Sequence, residues 1–162
     1  MEKSEVIDIG IGRYAVVNGG VLACRGLGSC VAIAICRKDR SLGGMAHAML
    51  PQMVNKNIDI LKPPEEDARY VDKAIDLLLE KLGKRCEAKL VGGATLFSSD
   101  DVGKRNVEAA RKKLSEGGIR IVSEDIGGTR ARSCFFYADS GKVVVRSSVR
   151  IGFDVRFLEK EI

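Results

Sequence analysis

Short apolar runs, separated by glycine or asparagine, occupy most of the first fifty positions of the chain. Their lengths and their content of β-branched residues are typical of strands, and the breaks between them are typical of turns. A proline at position 51 ends the series. The predicted strands are Val6–Gly12, Tyr14–Val17, Val21–Cys24, Cys30–Cys36 and Gly44–Leu50.

The apolar spacing changes after an irregular segment at Gln52–Pro64. Apolar residues then recur three and four positions apart, which predicts a helix that begins near Pro63 and Pro64 and ends at Gly83. The acidic residues that follow the prolines suit the dipole of its first turn. The residues predicted to face the core are Ala68, Val71, Ile75, Leu78 and Leu82.

The second half of the chain alternates between strand and helix patterns. A strand at 86–94 precedes a second helix, which is capped by Ser99 or Asp101 and runs through Ser115. A strand at 119–128, a hairpin turning at 139–141 and a last short strand at 152–159 complete the series. This order predicts a layered α/β (α+β) domain with mixed β-sheets and two main helices, formed by residues 1–162 as one unit.

Composition narrows the class of protein. The 162 residues are 45% apolar and 30% charged, with no leader-like N-terminus and no apolar run long enough for a membrane span, so we expect a cytoplasmic protein without membrane insertion. The net charge of +5 lies wholly in residues 82–162, where it is compatible with an acidic partner, although a solvated surface of mixed charge explains it more simply. With 5% aromatic residues and no nucleic-acid motif, nucleic-acid binding is not expected.

The five cysteines and the single histidine do not form a metal or disulfide pattern. No C-x-x-C pair is present and the number of cysteines is odd, which argues against a disulfide framework and against a zinc site. Reduced thiols, without a metal site, are therefore the expectation.

One cysteine is placed for chemistry. If Arg37–Arg40 forms a four-residue hairpin loop, Cys30 and His47 lie directly opposite each other on one face, with Cβ atoms about 4.5–5.5 Å apart. A loop two residues longer shifts them by one pleat and still leaves them within side-chain reach.

A thiol beside an imidazole suits nucleophilic catalysis, and we expect His47 to lower the pKa of Cys30. Backbone N–H groups of the preceding turn, at Gly28 and Ser29, would then form an oxyanion hole. The alternative remains open that Cys30 and His47 are packing residues, because cysteine is among the most buried residue types.

Five segments, in order and at fitting spacing, carry a resemblance to a known family. They are "LGSC", "GGMAHAMLP", "VGGATLF", "DVGKRNVEA" and "EDIGGTRARS". Together they span most of the chain, and the sequence resembles the CheD family of chemoreceptor glutamine deamidases.

The resemblance implies a three-layer fold like that of the cysteine deamidase toxins. It implies hydrolysis of receptor glutamine side chains to glutamate and ammonia without a cofactor, with Cys30 as nucleophile and His47 as its partner. The implied partners are methyl-accepting chemotaxis receptors, through their cytoplasmic helical bundle, and the CheC phosphatase. Thr95, Thr129 or Arg130 could line the substrate cleft. The alternative is that the glycine-containing motifs around them only form turns.

The chain departs from the family pattern at one position. The family uses a threonine six residues before the nucleophile to orient the histidine, and Cys24 stands there in this sequence. A thiol is a weaker acceptor than a hydroxyl. Either another group orients His47, a backbone carbonyl or a second side chain, or turnover is reduced, or the protein is an adaptor that binds receptors or the phosphatase with little turnover.

Overall fold

The computed structural model of the chain describes residues 5–52, 67–97 and 99–162. Within these residues, ten strands and two helices follow one another in the order that the apolar pattern predicts. In chain order they are β1 (Val6–Asp8), β2 (Tyr14–Val17), β3 (Val21–Leu27), β4 (Val31–Arg37), β5 (Gly43–Ala48), α1 (Val71–Leu82), β6 (Cys86–Gly92), α2 (Val102–Glu116), β7 (Arg120–Ile126), β8 (Arg132–Tyr137), β9 (Lys142–Ile151) and β10 (Asp154–Glu161).

The strands form two five-stranded sheets. The first sheet has the order β1-β3-β8-β9-β10 and the second has the order β2-β5-β4-β6-β7. Each contains one parallel pair, β1 with β3 and β6 with β7, among antiparallel neighbours. The helix α2 forms the crossover between the parallel strands β6 and β7. The predicted α+β class with mixed sheets is confirmed.

Two apolar cores separate three layers. One core lies between the two sheets, and the other lies between the second sheet and the helices. Strand β4 contributes to both, because its side chains alternate between the two faces. Val31, Ile33 and Ile35 face the helices, whereas Ala32, Ala34 and Cys36 face the first sheet. Burial on both faces explains why this strand is an unbroken apolar run in the sequence.

Helix α1 begins later than the sequence pattern indicates, whereas α2 begins directly after one of its two predicted caps, Asp101. Helix α1 starts at Val71, and the predicted start at Pro63 and Pro64, with most of the predicted irregular segment, lies outside the described residues. Asp101 occupies the N-cap of α2 without a side-chain capping bond. Instead, the carboxylate of Asp100 accepts a hydrogen bond of 2.9 Å from the backbone N–H of Val102. Neither helix is long and apolar enough to cross a membrane.

The β4–β5 hairpin has a longer loop than the four residues assumed from the sequence. Cys36 pairs with Gly43, the N–H of Arg37 donates to the carbonyl of Leu42, and Arg40 adopts a φ of 61°. His47 therefore lies opposite Ala32, and the direct Cys30–His47 opposition is wrong by one pleat. The alternative with two additional loop residues is the observed register.

Candidate active site

The nucleophile turn, which we define as residues 28–30, joins β3 to β4. All three of its carbonyl groups accept hydrogen bonds from the second half of the chain. The carbonyl of Gly28 accepts from Ala94 N at 2.9 Å, that of Cys30 from Gly93 N at 2.8 Å, and that of Ser29 from Asn106 Nδ2 at 2.9 Å.

The N–H groups of the same turn have no such partners. In the part of the chain that the structure describes, no backbone carbonyl accepts from the N–H of Gly28, Ser29 or Cys30. Backbone N–H groups without a carbonyl partner, as at Gly28 and Ser29, are the donors that an oxyanion hole requires. An oxyanion hole at these two residues stays a prediction.

Gly92 allows β6 to approach the nucleophile turn closely. Its φ is +112°, in the region that favours glycine, and a Cβ atom built on it would overlap the carbonyl oxygen of Cys30. The N–H of the next residue, Gly93, donates to that same carbonyl oxygen. The "GGA" portion of the "VGGATLF" segment thus supports the backbone of the predicted nucleophile.

His47 lies on β5 and is only 3% exposed. Its Nδ1 atom lies 3.0 Å from the carbonyl oxygen of Ile9. Its backbone is held by the same loop, because Gly12 N donates to His47 O at 2.8 Å and His47 N donates to Arg13 O at 3.0 Å. Three contacts to the segment after β1 therefore fix both the backbone and the ring.

The hydrogen bond to Ile9 also determines which ring nitrogen carries the proton. A carbonyl oxygen only accepts, so Nδ1 of a neutral His47 holds the hydrogen and Nε2 presents a lone pair. The Nε2 atom is buried and has no hydrogen-bond partner in the described structure. A basic nitrogen without a partner is therefore available to a neighbouring proton donor.

Cys30 is the half-buried member of the five cysteines; the other four are buried. It precedes Val31, which pairs with Ala48, so Cys30 and His47 share the face of the second sheet that is turned toward the first. Diagonal neighbours in an antiparallel pair have Cα atoms about 7–8 Å apart, and no hydrogen bond joins Cys30 to Nε2 of His47 in the described structure.

Burial sets the charge state of the pair. Burial raises the pKa of Cys30, and only the hydrogen bond from its own backbone opposes this. Burial lowers the pKa of His47, partly offset by the hydrogen bond to Ile9. The expectation that His47 lowers the pKa of Cys30 is therefore wrong for the resting site, which holds a neutral thiol and a neutral imidazole near pH 7.

Cys24 lies inside the core between the sheets. It is directly opposite Cys134 in the β3–β8 ladder, and both residues are fully buried. The adjacent thiol of Cys134, followed by burial, raises the pKa of Cys24, and the Cys30 thiol adds to this effect. Cys24 thus lies in the same core as Cys30, whereas the acceptor for the imidazole of His47 is the carbonyl of Ile9.

The three residues proposed for the substrate cleft have different positions. Thr129 and Arg130 line a cavity of about 490 Å³ between the β7–β8 loop and strands β9 and β10. Thr95 contributes its backbone, which donates to the carbonyl of Gly128 at 2.9 Å and so ties this loop to the segment after β6. Cys30 and His47 do not line this cavity.

An apolar rim, defined as Leu96 and Phe97, flanks the nucleophile turn. The two side chains are 46% and 73% exposed. Leu96 lies over Gly28, because a Cβ atom at Gly28 would be 2.7 Å from its Cδ1 atom. Leu96 therefore places a partly exposed apolar side chain beside the turn that carries Cys30.

No group of three or more potential metal-ligating side chains occurs within residues 5–52, 67–97 and 99–162.

Two residues of the site were missed by the sequence analysis. Ile9 acts through its backbone carbonyl, and a backbone contact leaves no signature in the side-chain pattern. Asn106 is fully buried in α2, where a polar residue on an otherwise apolar face was the available signal.

A family model and individual related proteins all match the chain to the same family. The family described as CheD chemotactic sensory transduction matches residues 49–147. The chain is 43% identical over 147 residues to the "Chemoreceptor glutamine deamidase CheD" of Thermotoga maritima, an alignment covering 85% of this chain and 89% of that protein. It is 41% identical over 156 residues to the "Probable chemoreceptor glutamine deamidase CheD" of Archaeoglobus fulgidus, covering 90% and 94%.

A third relative, the "Probable chemoreceptor glutamine deamidase CheD" of Thermococcus kodakarensis, is 39% identical over 152 residues, covering 86% of this chain and 91% of that protein. The matches extend over nearly the full length of both partners, and the family match covers more than half of the chain. The chain therefore belongs to the CheD family.

Proposed function

We propose that this protein hydrolyses glutamine side chains of chemotaxis receptors to glutamate and ammonia, with Cys30 as the nucleophile and His47 as general base and acid. Family membership supports the reaction class. The observation that carries the assignment of residues is the buried Nε2 atom of His47, unpartnered on the sheet face that it shares with Cys30.

The first half of the reaction forms a thioester. As the sulfur of Cys30 attacks the side-chain carbonyl carbon of glutamine, its proton passes to Nε2 of His47. The N–H groups of the nucleophile turn stabilise the negative oxygen of the tetrahedral intermediate. His47, now protonated, donates its proton to the departing nitrogen, the C–N bond breaks, and ammonia leaves.

The second half of the reaction restores the thiol. Neutral His47 takes a proton from a water molecule as the oxygen of that water attacks the thioester carbon. The C–S bond breaks, the sulfur recovers its proton from His47, and glutamate is released. Each proton transfer contributes roughly 10²–10⁴-fold to the rate.

The partner in this proposal is the cytoplasmic helical bundle of a receptor, and the protein acts in the cytoplasm. The apolar rim beside Gly28 supports docking of a helix next to the thiol, because Phe97 is 73% exposed. The net charge of +5 in residues 82–162 supports electrostatic steering toward an acidic surface. Raising the salt concentration should then increase KM and leave kcat unchanged.

A second candidate function follows from Cys24. Since the family threonine is replaced, the chain could serve as an adaptor that binds receptors or the CheC phosphatase with little turnover. The carbonyl of Ile9 favours the enzyme, because it already orients the ring of His47. Release of ammonia from a receptor fragment separates the two functions, since an adaptor binds the fragment without releasing ammonia.

Competitive alkylation tests the nucleophile. Limiting iodoacetamide at neutral pH should label Cys30 before the other four cysteines, because they are buried and His47 can accept its proton as it reacts. The His47→Gln variant removes that acceptor and should slow labelling at Cys30 alone. Preferential labelling of Cys36, Cys86 or Cys134 in the wild-type protein would contradict the proposed site.

A further inference from the structure

Asn106 is a fully buried polar residue that the mechanism above does not use. It lies in α2, and its Nδ2 atom donates to two carbonyl oxygens that belong to different parts of the site. One is Ser29 O at 2.9 Å, in the nucleophile turn, and the other is Met49 O at 3.1 Å, immediately after β5. One side-chain amide therefore joins the turn that carries Cys30 to the strand that carries His47.

The two hydrogen bonds of Asn106, which we call the bridge, lie at the end of the β4–β5 ladder. The β4–β5 ladder ends at the pair Val31–Ala48, one position before Cys30 and Met49 would face each other. Beyond that pair no ladder pairing joins the two segments. The amide of Asn106 contacts both of them and is therefore a direct link across the open end of the hairpin.

The sequence allows helix α2 to come close enough for a short side chain to reach. Gly103 lies one turn before Asn106, and a Cβ atom on it would overlap the carbonyl oxygen of Ala94 and the backbone of Gly93. The helix thus packs directly on the backbone that also supports the carbonyl groups of Gly28 and Cys30. Gly103 and Asn106 in the "DVGKRNVEA" segment act together.

Asparagine at this position is informative, because a buried asparagine with an unpartnered oxygen does not favour the stability of the fold. The Oδ1 atom of Asn106 is buried and has no hydrogen-bond partner in the described structure. A buried acceptor without a partner lowers the stability of the fold. Serine or threonine would lack the unpartnered Oδ1 atom, but each would offer one hydrogen-bond donor instead of two. Asparagine is the short side chain that places two N–H donors on one atom.

We infer that Asn106 is a positioning residue for the deamidation reaction: it fixes the separation of Cys30 and His47 by holding Ser29 and Met49. The inference rests on the proposed function. Loss of the bridge frees the two segments to move apart, and a displacement of about 1 Å between reacting groups can cost roughly 10²-fold in rate. The effect should fall on kcat, since Asn106 is buried and does not touch the substrate surface.

The test compares Asn106→Ala with Leu114→Ala, a fully buried residue of the same helix that packs in the core away from the bridge. Both variants should unfold at lower temperature. At a temperature where circular dichroism shows both folded, Asn106→Ala should lose about 10- to 100-fold in kcat on a receptor fragment, with KM changed less than two-fold. Leu114→Ala should keep the wild-type kcat.

Two further measurements keep the inference falsifiable if Asn106→Ala does not fold. Asn106→Asp retains the shape but, when ionised, has no donor for the two carbonyls, so its kcat relative to wild type should rise as the pH falls. In the wild-type protein, the side-chain amide signals of Asn106 should be protected from exchange and should shift when Cys30 is alkylated. The inference would be overturned if the Asn106 amide hydrogens exchange rapidly with solvent and their signals do not shift when Cys30 is alkylated.

A parallel assay of Cys30→Ala separates the two claims. If Cys30→Ala keeps wild-type turnover, the proposed nucleophile is wrong whatever Asn106 does. If Cys30→Ala is inactive while Asn106→Ala keeps the kcat of Leu114→Ala, the bridge is only structural and the inference about Asn106 alone is overturned.

Discussion

Nδ1 of His47 and the carbonyl oxygen of Ile9 lie 3.0 Å apart, and this contact assigns the roles of the two ring nitrogens. The carbonyl holds the Nδ1 hydrogen and leaves Nε2 as the base. Ile9 is itself held by its N–H, which donates to Ala23 O at 2.7 Å beyond the parallel β1–β3 pair. The segment that follows the edge strand β1 of one sheet therefore orients a residue on the other sheet.

The first prediction concerns the acid limb of the pH–rate profile. His47 must be neutral to accept the proton of Cys30, and burial lowers its pKa below the ordinary value of 6.5. Activity should therefore rise through a midpoint below pH 6.5 and be fully developed at neutral pH. The profile of kcat/KM, measured by ammonia release from a receptor fragment, tests this, and a midpoint above pH 7 would contradict it.

The free energy of unfolding should also depend on the protonation of His47, and the direction of this pH dependence can be measured separately from activity. The unfolded chain binds a proton on His47 more tightly than the folded chain, so the free energy of unfolding falls as the pH drops below 6.5. His47 is the single histidine of the chain. In His47→Gln this part of the pH dependence should disappear from urea titrations, while the part due to carboxylates at lower pH should remain.

The second prediction concerns Cys24. Because the carbonyl of Ile9 accepts the hydrogen of Nδ1, Cys24→Ala should keep most of the activity. Cys24→Thr should likewise leave kcat close to that of the wild-type protein, because the single Nδ1 hydrogen of His47 already has its acceptor.

Cys134→Ala is the control for Cys24, since it removes the opposite thiol and disturbs the same part of the core. Steady-state ammonia release for the three variants gives the comparison. An inactive Cys24→Ala beside an active Cys134→Ala would show that the thiol at position 24 has a chemical role.

The apolar pattern predicts much of this fold because it records burial. Strand β4, buried on both faces, is visible as an unbroken apolar run, and α1 is visible as an amphipathic repeat. The hairpin register is different, because it depends on how the chain turns. Arg40 adopts a positive φ of 61°, which is uncommon for a residue other than glycine, and the sequence offers no sign of it.

In the candidate site, too, the local contacts were predictable from the sequence and the contacts between distant residues were not. The nearness of Cys30 and His47 follows from one hairpin and was predictable to within a pleat. The contact of Asn106 with Ser29 joins residues that are 77 positions apart, and no local pattern encodes such a distance. The acceptor for His47 is a backbone carbonyl, which every residue carries, so Ile9 had no distinguishing mark.

The third prediction concerns Gly92. Alanine there requires an unfavourable φ of +112° and collides with the carbonyl oxygen of Cys30, so the nucleophile turn must move. Gly118→Ala is the matched control, because its φ is +70° and a Cβ atom meets nothing within 4 Å.

Both glycine variants should lose about 1–2 kcal/mol of stability from the backbone conformation. Gly92→Ala should also lose about ten-fold or more in kcat and in the alkylation rate of Cys30. If the two variants have equal kcat values at a temperature where both are folded, the close approach of Gly92 does not support the nucleophile.

The central claim, that Cys30 carries out deamidation of a receptor, is tested most directly by the intact mass of a receptor cytoplasmic fragment. After incubation with the wild-type protein, the fragment should gain about 1 Da for each glutamine converted, because an NH₂ group is replaced by OH through acyl transfer. Incubation with Cys30→Ala or His47→Ala should leave the mass unchanged. A mass gain with Cys30→Ala equal to that with the wild-type protein would contradict the account.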